Sequence, residues 1–223
     1  MHTVHAVMAV KHRDLAKSRL SAALSADQRA RLVLAMFADT VEAAAAVSAI
    51  GSLTVVTPDP LVATRARELG AHALAEPPAH ADPLNTALTA AANDVRRRYG
   101  AVRLLALQAD LPALRPAELA DFLTVAPASR ALVTDHTGTG TSALLAGAAP
   151  DPLAPRFGPD SARAHREHGA VAVLGHWPGL RCDVDTPDDL DTVQALGVGT
   201  ATASALWEFG ITTRGGEPVR TVC

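Results

Sequence analysis

Apolar and polar positions along this chain fall into blocks whose rhythm keeps changing. Thr3–Val10 and Val102–Ala109 are apolar at nearly every position, which predicts strands buried on both faces. Leu53–Thr57, Arg130–Thr134 and Ser142–Ala146 are shorter runs of the same kind, and residues 71–74, 171–174 and 180–183 predict three more strands. Between them lie stretches bounded by helix signals. Ser25-Ala26-Asp27-Gln28 has the form of a capping box and opens a long helix to about Val47. Gly51-Ser52 interrupts the pattern before the second strand. A helix over 61–69 stops at Gly70. Asp82 is placed to cap, and Pro83 to begin, a helix reaching about Tyr99. Further helices are predicted over Pro116–Val125, from Ser161 to His168, over 186–196 and over 202–207. Strands and helices alternate through the first two-thirds, so the expected fold is α/β, with a mostly parallel sheet and helices on both faces. Residues 1–209 read as a single domain, and 210–223 as a flexible tail.

Composition narrows the class. The hydrophobic fraction is 48%, ample for a core, and the net charge of −3 provides no basic footprint for nucleic acid. No apolar run approaches the ~20 residues of a membrane span. The start, Met1-His2-Thr3-Val4, has no basic region ahead of an apolar one, so a secretory leader is not expected and the reading is cytoplasmic. Cys182 and Cys223 make no disulfide framework; Cys182 reads as a buried, inert thiol. Trp177 and Trp207 read as packing residues. His165 and His168, three apart on an expected helix, would need further ligands to hold zinc and read as surface residues.

The chemistry concentrates at predicted strand ends. In Arg181-Cys182-Asp183-Val184-Asp185-Thr186-Pro187-Asp188-Asp189, a strand over 179–183 would point Asp183 and Asp185 to one side. Thr186 then caps a helix that starts at Pro187, with acids at its positive end. Asp110 ends another strand. Carboxylates converging at one sheet edge suit Mg2+, and ligands of open α/β sheets sit at that edge. The same acids also read as solvated groups on an ordinary capped helix. Lys11, Arg13, Lys17 and Arg19 follow the first strand and could face a triphosphate, or form a solvated turn. Together the two sets suit attack of a phosphate oxygen on the α-phosphorus of a nucleoside triphosphate, with pyrophosphate leaving. No Gly-x-x-x-x-Gly-Lys-Ser/Thr loop is present, which argues against a P-loop ATPase. Thr139-Gly140-Thr141 offers hydroxyls and close backbone approach, and Gly158 and Ser161 open a helix whose N-terminus suits an anion. The alternatives are a tight turn at Gly138 and Gly140, and a simple cap at Ser161.

Six segments carry a further signal in their order. They are Lys11 with Ala16-Lys17-Ser18-Arg19-Leu20, Asp82-Pro83-Leu84-Asn85, Gln108-Ala109-Asp110-Leu111-Pro112, Gly138-Thr139-Gly140-Thr141, Arg156-Phe157-Gly158-Pro159-Asp160-Ser161 and Cys182-Asp183-Val184-Asp185-Thr186-Pro187. In this order they resemble the guanylyltransferases of coenzyme F-420 biosynthesis, over about Val4 to Leu206. The resemblance implies a Rossmann-like nucleotidyltransferase fold. It implies transfer of GMP from GTP to phosphoenolpyruvate, giving enolpyruvyl-diphospho-guanosine and pyrophosphate. Relatives of similar pattern use 2-phospho-L-lactate, and 3-phospho-D-glycerate carries the same two charged groups. By resemblance, Asp110, Asp183 and Asp185 hold the metal, and Thr141, Gly158 and Ser161 contact the acid. Lys11, Lys17 and Arg19 meet the triphosphate, with Lys17, Arg19 and Asp110 at the reacting centre. Asn85 is expected near the nucleoside. Another nucleotidyl or glycosyl transferase of similar fold is the alternative. The glycine-rich opening loop of the wider sugar-nucleotidyltransferase superfamily is replaced here by Val10-Lys11-His12-Arg13. The oligomeric state, homo-oligomers included, is left open.

Overall fold

The computed structural model describes residues 3–12, 17–78 and 81–211. His2, Arg13, His80, Cys223 and the rest of the tail beyond Ile211 lie outside these residues. The central strand β1 (Val4–Ala9) runs parallel to β2 (Ile50–Thr57) on one side and to β4 (Arg103–Leu107) on the other. Next to β2 lies β3 (His72–Ala75), also parallel. Past β4 comes β6 (Thr141–Ala146), antiparallel both to β4 and to β5 (Ala131–Thr134). The two-residue β7 (Val171–Ala172) ends the sheet parallel to β5. The order is β3-β2-β1-β4-β6-β5-β7, with β6 alone reversed. The expected mostly parallel sheet is thus present.

Alternate residues of each central strand feed opposite faces. On one face, Val4, Ala6, Met8, Leu105 and Leu107 pack with residues of α1 (Ala26–Ala45), α2 (Pro60–Glu68) and α4 (Pro116–Val125). On the other, Val7, Leu104 and Ala106 pack with Ala87, Leu88, Ala91 and Val95 of α3 (Pro83–Tyr99) and Ala162 of α5 (Ser161–Glu167). The helix starts follow the local signals. Ser25 and Gln28 form the capping box of α1. Asp82 accepts from the Asn85 amide, and Pro83 takes the first turn of α3. A third apolar cluster lies at the sheet's carboxyl edge. There Leu20, Leu32, Met36, Cys182 and Val184 meet Leu190 and Val193 of α7 (Pro187–Leu196) and Leu206 of α8 (Thr200–Glu208).

Several expectations are corrected. Gly51-Ser52 does not interrupt the second strand; β2 runs through it. The register steps from Val4↔Ile50 to His5↔Ser52, so Gly51 is the extra residue of a bulge, where a Cβ would collide with the Thr3 side chain. No strand forms over 180–183. Pro178–Arg181 is instead a short helix, α6, because the Glu118 carboxylate accepts from the Gly179 and Leu180 amides at 3.2 and 2.8 Å. That partner is 61 residues away in sequence. Trp177 is buried, but Trp207 is 73% exposed on α8 and is no packing residue. Among the described residues, no helix is long and apolar enough to cross a membrane.

Candidate active site

Strand ends at one edge of the sheet build a cleft of about 350 Å³. Ala9 at the end of β1 and Val10 and Lys11 just after it line the cleft, as do Gln108, Ala109 and Asp110 after β4. Lys17, Asp183 and Asp185 complete the polar lining. The acidic pair reaches the cleft without the strand expected for it. Residues 182–185 are extended outside the sheet ladder, tied to the Asp110 carbonyl through the Val184 amide. Alternation still sorts the side chains. Cys182 and Val184 enter the third apolar cluster, and Asp183 and Asp185 line the cleft. Burial, then the Asp189 and Asp183 charges, pushes the Cys182 thiol up to about 11, so it is inert as expected.

Lys17 is the counter-ion. Its ammonium is hydrogen-bonded to Asp110 and lies 2.8 Å from Asp185. Its backbone is left-handed, with φ 56°, a conformation that costs a non-glycine residue about 1–2 kcal/mol. Burial alone would depress the lysine pKa, but the Asp110 and Asp185 charges outweigh it and hold it above the ordinary value. Asp185 is the mirror case. Burial would raise it, yet Lys17, with help from Arg19 and His136, holds it below the usual carboxylate range. At Asp183 the relief, from a backbone hydrogen bond and the Lys17 charge, is too small. Burial, then the Asp110 and Asp185 charges, pushes it up to about 7. Asp110 Oδ1 is buried with no hydrogen-bond partner among the described residues. Three carboxylates against one ammonium leave two negative charges when all are ionised. The donors are all hard oxygens, so the set fits a hard divalent cation such as Mg2+. Among the described residues no three acidic, His or Cys side chains are gathered into a ready-made cage.

Asp189, read in the sequence only as an acid at a helix start, braces the acidic loop. One oxygen accepts from the Asp185 and Thr186 amides at 3.0 and 2.7 Å and from the Thr186 hydroxyl. The other faces His136 at 3.2 Å. Arg181 donates to the carbonyls of Thr134 and Asp135. The acidic loop is thereby fastened to the hairpin loop between β5 and β6. In that loop the Asp135 carboxylate accepts from the Thr139 and Gly140 amides, so Gly138 and Gly140 do make a tight turn.

The hydroxyl set lies one step along the same edge. The β4–β6 ladder pairs Leu107 with Ala143 and continues through the Gln108 amide to the Ser142 carbonyl. Thr141 therefore sits beside the segment that delivers Asp110. Thr141 and Ser161 are buried with hydroxyl oxygens 3.2 Å apart, and His165 Nδ1 is 3.0 Å from Thr141. Gly158, at φ 138°, opens the loop ahead of α5. Thr141, Gly158 and Ser161 were expected at one site, and the fold gathers them onto this loop and strand end. His165 was expected at the surface and is 1% exposed. Its position i+4 from Ser161 on one helix was the available signal. Asn85, expected near the nucleoside, has partners within the protein. Its amide spans Phe157, accepting from that backbone N–H at 2.8 Å and donating to its carbonyl at 2.9 Å. Its remaining donor goes to Asp82. Two of the three Asn85 amide bonds hold the loop just before Gly158. Arg19 is exposed beside the cleft, and its charge acts on Asp185.

The family model described as guanylyl transferase CofC like matches residues 4–221. The chain belongs to that family. Within the family's reach are proteins named phosphoenolpyruvate guanylyltransferase. The one from Nocardia farcinica is 58% identical over 100% of this chain and 99% of its own length. The one from Rhodococcus erythropolis is 53% identical over 91% and 95%. The fold extends further than the sequence likeness. A nucleotidyl transferase from a Methanothermobacter species superposes with a TM-score of 0.58 over 85% of this chain and 95% of its own, at 15% identity. Membership of the CofC-like family makes the chain a nucleotidyltransferase, and the Rossmann-like fold expected from the resemblance is the one observed.

Proposed function

We propose that this enzyme transfers GMP from GTP to phosphoenolpyruvate, forming enolpyruvyl-diphospho-guanosine and pyrophosphate, as a cytoplasmic step of coenzyme F-420 biosynthesis. The observation that carries the reading is the meeting, at one sheet edge, of an over-charged carboxylate set and a buried hydroxyl set. It is supported by relatives more than half identical that bear that enzyme's name. In this reading Asp110, Asp183 and Asp185 hold Mg2+, which when bound neutralises triphosphate charge and activates the α-phosphorus. Lys17, Lys11 and Arg19 supply the fixed positive charge that orients the triphosphate. Thr141, Ser161 and the Gly158 backbone hold the acid so that its phosphate oxygen faces the α-phosphorus. That oxygen forms the new P–O bond as the bond to pyrophosphate breaks. No protein nucleophile is required, since positioning and charge neutralisation supply the rate.

The test is pyrophosphate release with Mg2+ and GTP, with phosphoenolpyruvate, 2-phospho-L-lactate and 3-phospho-D-glycerate offered separately. Release with phosphoenolpyruvate alone is expected. Release only with one of the other acids would keep guanylyl transfer and replace the acceptor. A folded protein that binds GTP and releases pyrophosphate with none of the three would overturn the reading.

A further inference from the structure

His165 is buried on α5 with its ring edge-on to Phe157, centroids 5.1 Å apart. Its two nitrogens have different partners. Nε2 is 2.8 Å from the Arg156 backbone nitrogen. A backbone N–H only donates, so Nε2 accepts and carries no proton. The ring is neutral at physiological pH. Burial, then the charges of Arg130, Arg156 and His168, lowers its pKa to about 4. A neutral imidazole with a bare Nε2 carries its proton on Nδ1. Nδ1 therefore donates to Thr141 Oγ1, 3.0 Å away. Ser161 Oγ donates to the same oxygen at 3.2 Å. A hydroxyl oxygen has two lone pairs, and both are now occupied. Among the described residues the Thr141 proton has no protein acceptor, because both neighbours face it as donors. That proton is left for an incoming oxygen.

We propose that His165 is a positioning residue which, through Nδ1–H, fixes the Thr141 hydroxyl as a one-way donor to an anionic oxygen of the acid substrate. The inference rests on the reading of this hydroxyl set as the acid's binding place. An anion there meets a hydroxyl that has no alternative use for its proton, so no protein hydrogen bond is broken on binding. Without His165 one Thr141 lone pair is vacant and the hydroxyl is free to rotate, so the anion would meet a lone pair as readily as the proton.

Two variants separate the ring's two contacts. In His165→Asn the amide nitrogen falls near Nδ1. In His165→Gln the side-chain end falls near Nε2 and leaves Thr141 unsupported. His165→Gln is expected to raise the KM for phosphoenolpyruvate about 10-fold or more, the scale of one hydrogen bond to a charged group. The KM for GTP should stay within about twofold, and His165→Asn should recover most of the loss. In a Thr141→Val background His165→Gln should add nothing, because the two act through one hydroxyl. A long-range proton–nitrogen NMR correlation on the wild-type protein should find the Nδ1–H neutral tautomer at pH 7. An Nε2–H tautomer, additive losses in the double variant, or equal rises in both KM values would each overturn the positioning role. If the wild-type enzyme releases pyrophosphate with phosphoenolpyruvate and the variants miss this pattern, only the role of His165 falls. If the wild type releases none with any of the three acids, the reading of the pocket falls and the role falls with it.

Discussion

Asp110, Asp183 and Asp185 share a single ammonium, whereas Thr141, Ser161 and His165 form a set of neutral hydrogen bonds in which each bond has its donor and acceptor. The two clusters occupy one sheet edge, and their loops are tied together by Arg181 and by the His136–Asp189 pair. In the first, Asp183 is held far from its ordinary pKa and a buried Asp110 oxygen lacks a partner. In the second, burial is matched by hydrogen bonds, and the unusual pKa belongs to a ring that stays neutral. A cluster with excess negative charge suits a cation and the charged substrate that would travel with it. A neutral, hydrogen-bonded cluster with one proton left to give is built to hold a shape. In the proposed reaction catalysis by positioning needs both, because a bound ion would supply the field and the shape would set the line of attack.

The sharpest way to break the contrast is Asp110→Asn, which keeps the shape and removes one charge. Pyrophosphate release is expected to fall by about 10³-fold, with the melting temperature preserved. A folded Asp110→Asn protein with full activity would remove Asp110 from the metal set and the contrast with it.

Next in size is a difference in how stability depends on pH, measured without metal. Asp183 has a folded pKa of about 7, above its unfolded value near 4. Between these values the native state holds the extra proton. The contribution is present below about pH 4 and is lost as pH rises through about 7. His165 is the opposite case, with a folded pKa of about 4 below an unfolded value near 6.5. Its contribution is present above about pH 6.5 and is lost as pH falls through about 4. In the wild type the two slopes oppose each other. Asp183→Asn should raise the melting temperature at pH 8 by at least about 2 °C and steepen the rise between pH 4 and 6.5. His165→Gln should leave a net fall across the same range. Parallel melting curves for the two variants would mean that the clusters do not differ in charge balance.

Sequence reasoning reached the first cluster far better than the second. Asp110 was legible as an acid at the end of an apolar run. The spacing of Asp183 and Asp185 gave the right facing even though the strand was wrong, because any extended segment alternates its side chains. The caps at Ser25, Asp82 and Thr186 were legible because cap and amide lie within three residues. What escaped depends on distant partners. Glu118 turns 178–181 into a helix, and Asn85 reaches Phe157 across 72 residues. His165 is buried against Thr141, Arg156 and Phe157, all from outside its helix. An apolar run also carries no mark of direction, so the reversal of β6 could not be read from 141–146.

The smallest expected effect tests whether the second cluster's shape is maintained from outside it. The Asn85 amide makes two hydrogen bonds to Phe157, the residue before Gly158, and Phe157 in turn packs against the His165 ring. Asn85→Ala leaves one backbone N–H and one carbonyl without that partner in a partly buried loop. The loss is about 1–2 kcal/mol, or a fall in melting temperature of about 2–8 °C for a chain of this size. Because the loop carries Gly158, the KM for phosphoenolpyruvate should rise a few-fold. Because both Asn85 amide protons are already engaged within the protein, the KM for GTP should stay unchanged. A rise in the GTP KM alone, with the acid unaffected, would return Asn85 to the nucleoside side and make its grip on Phe157 incidental to substrate binding.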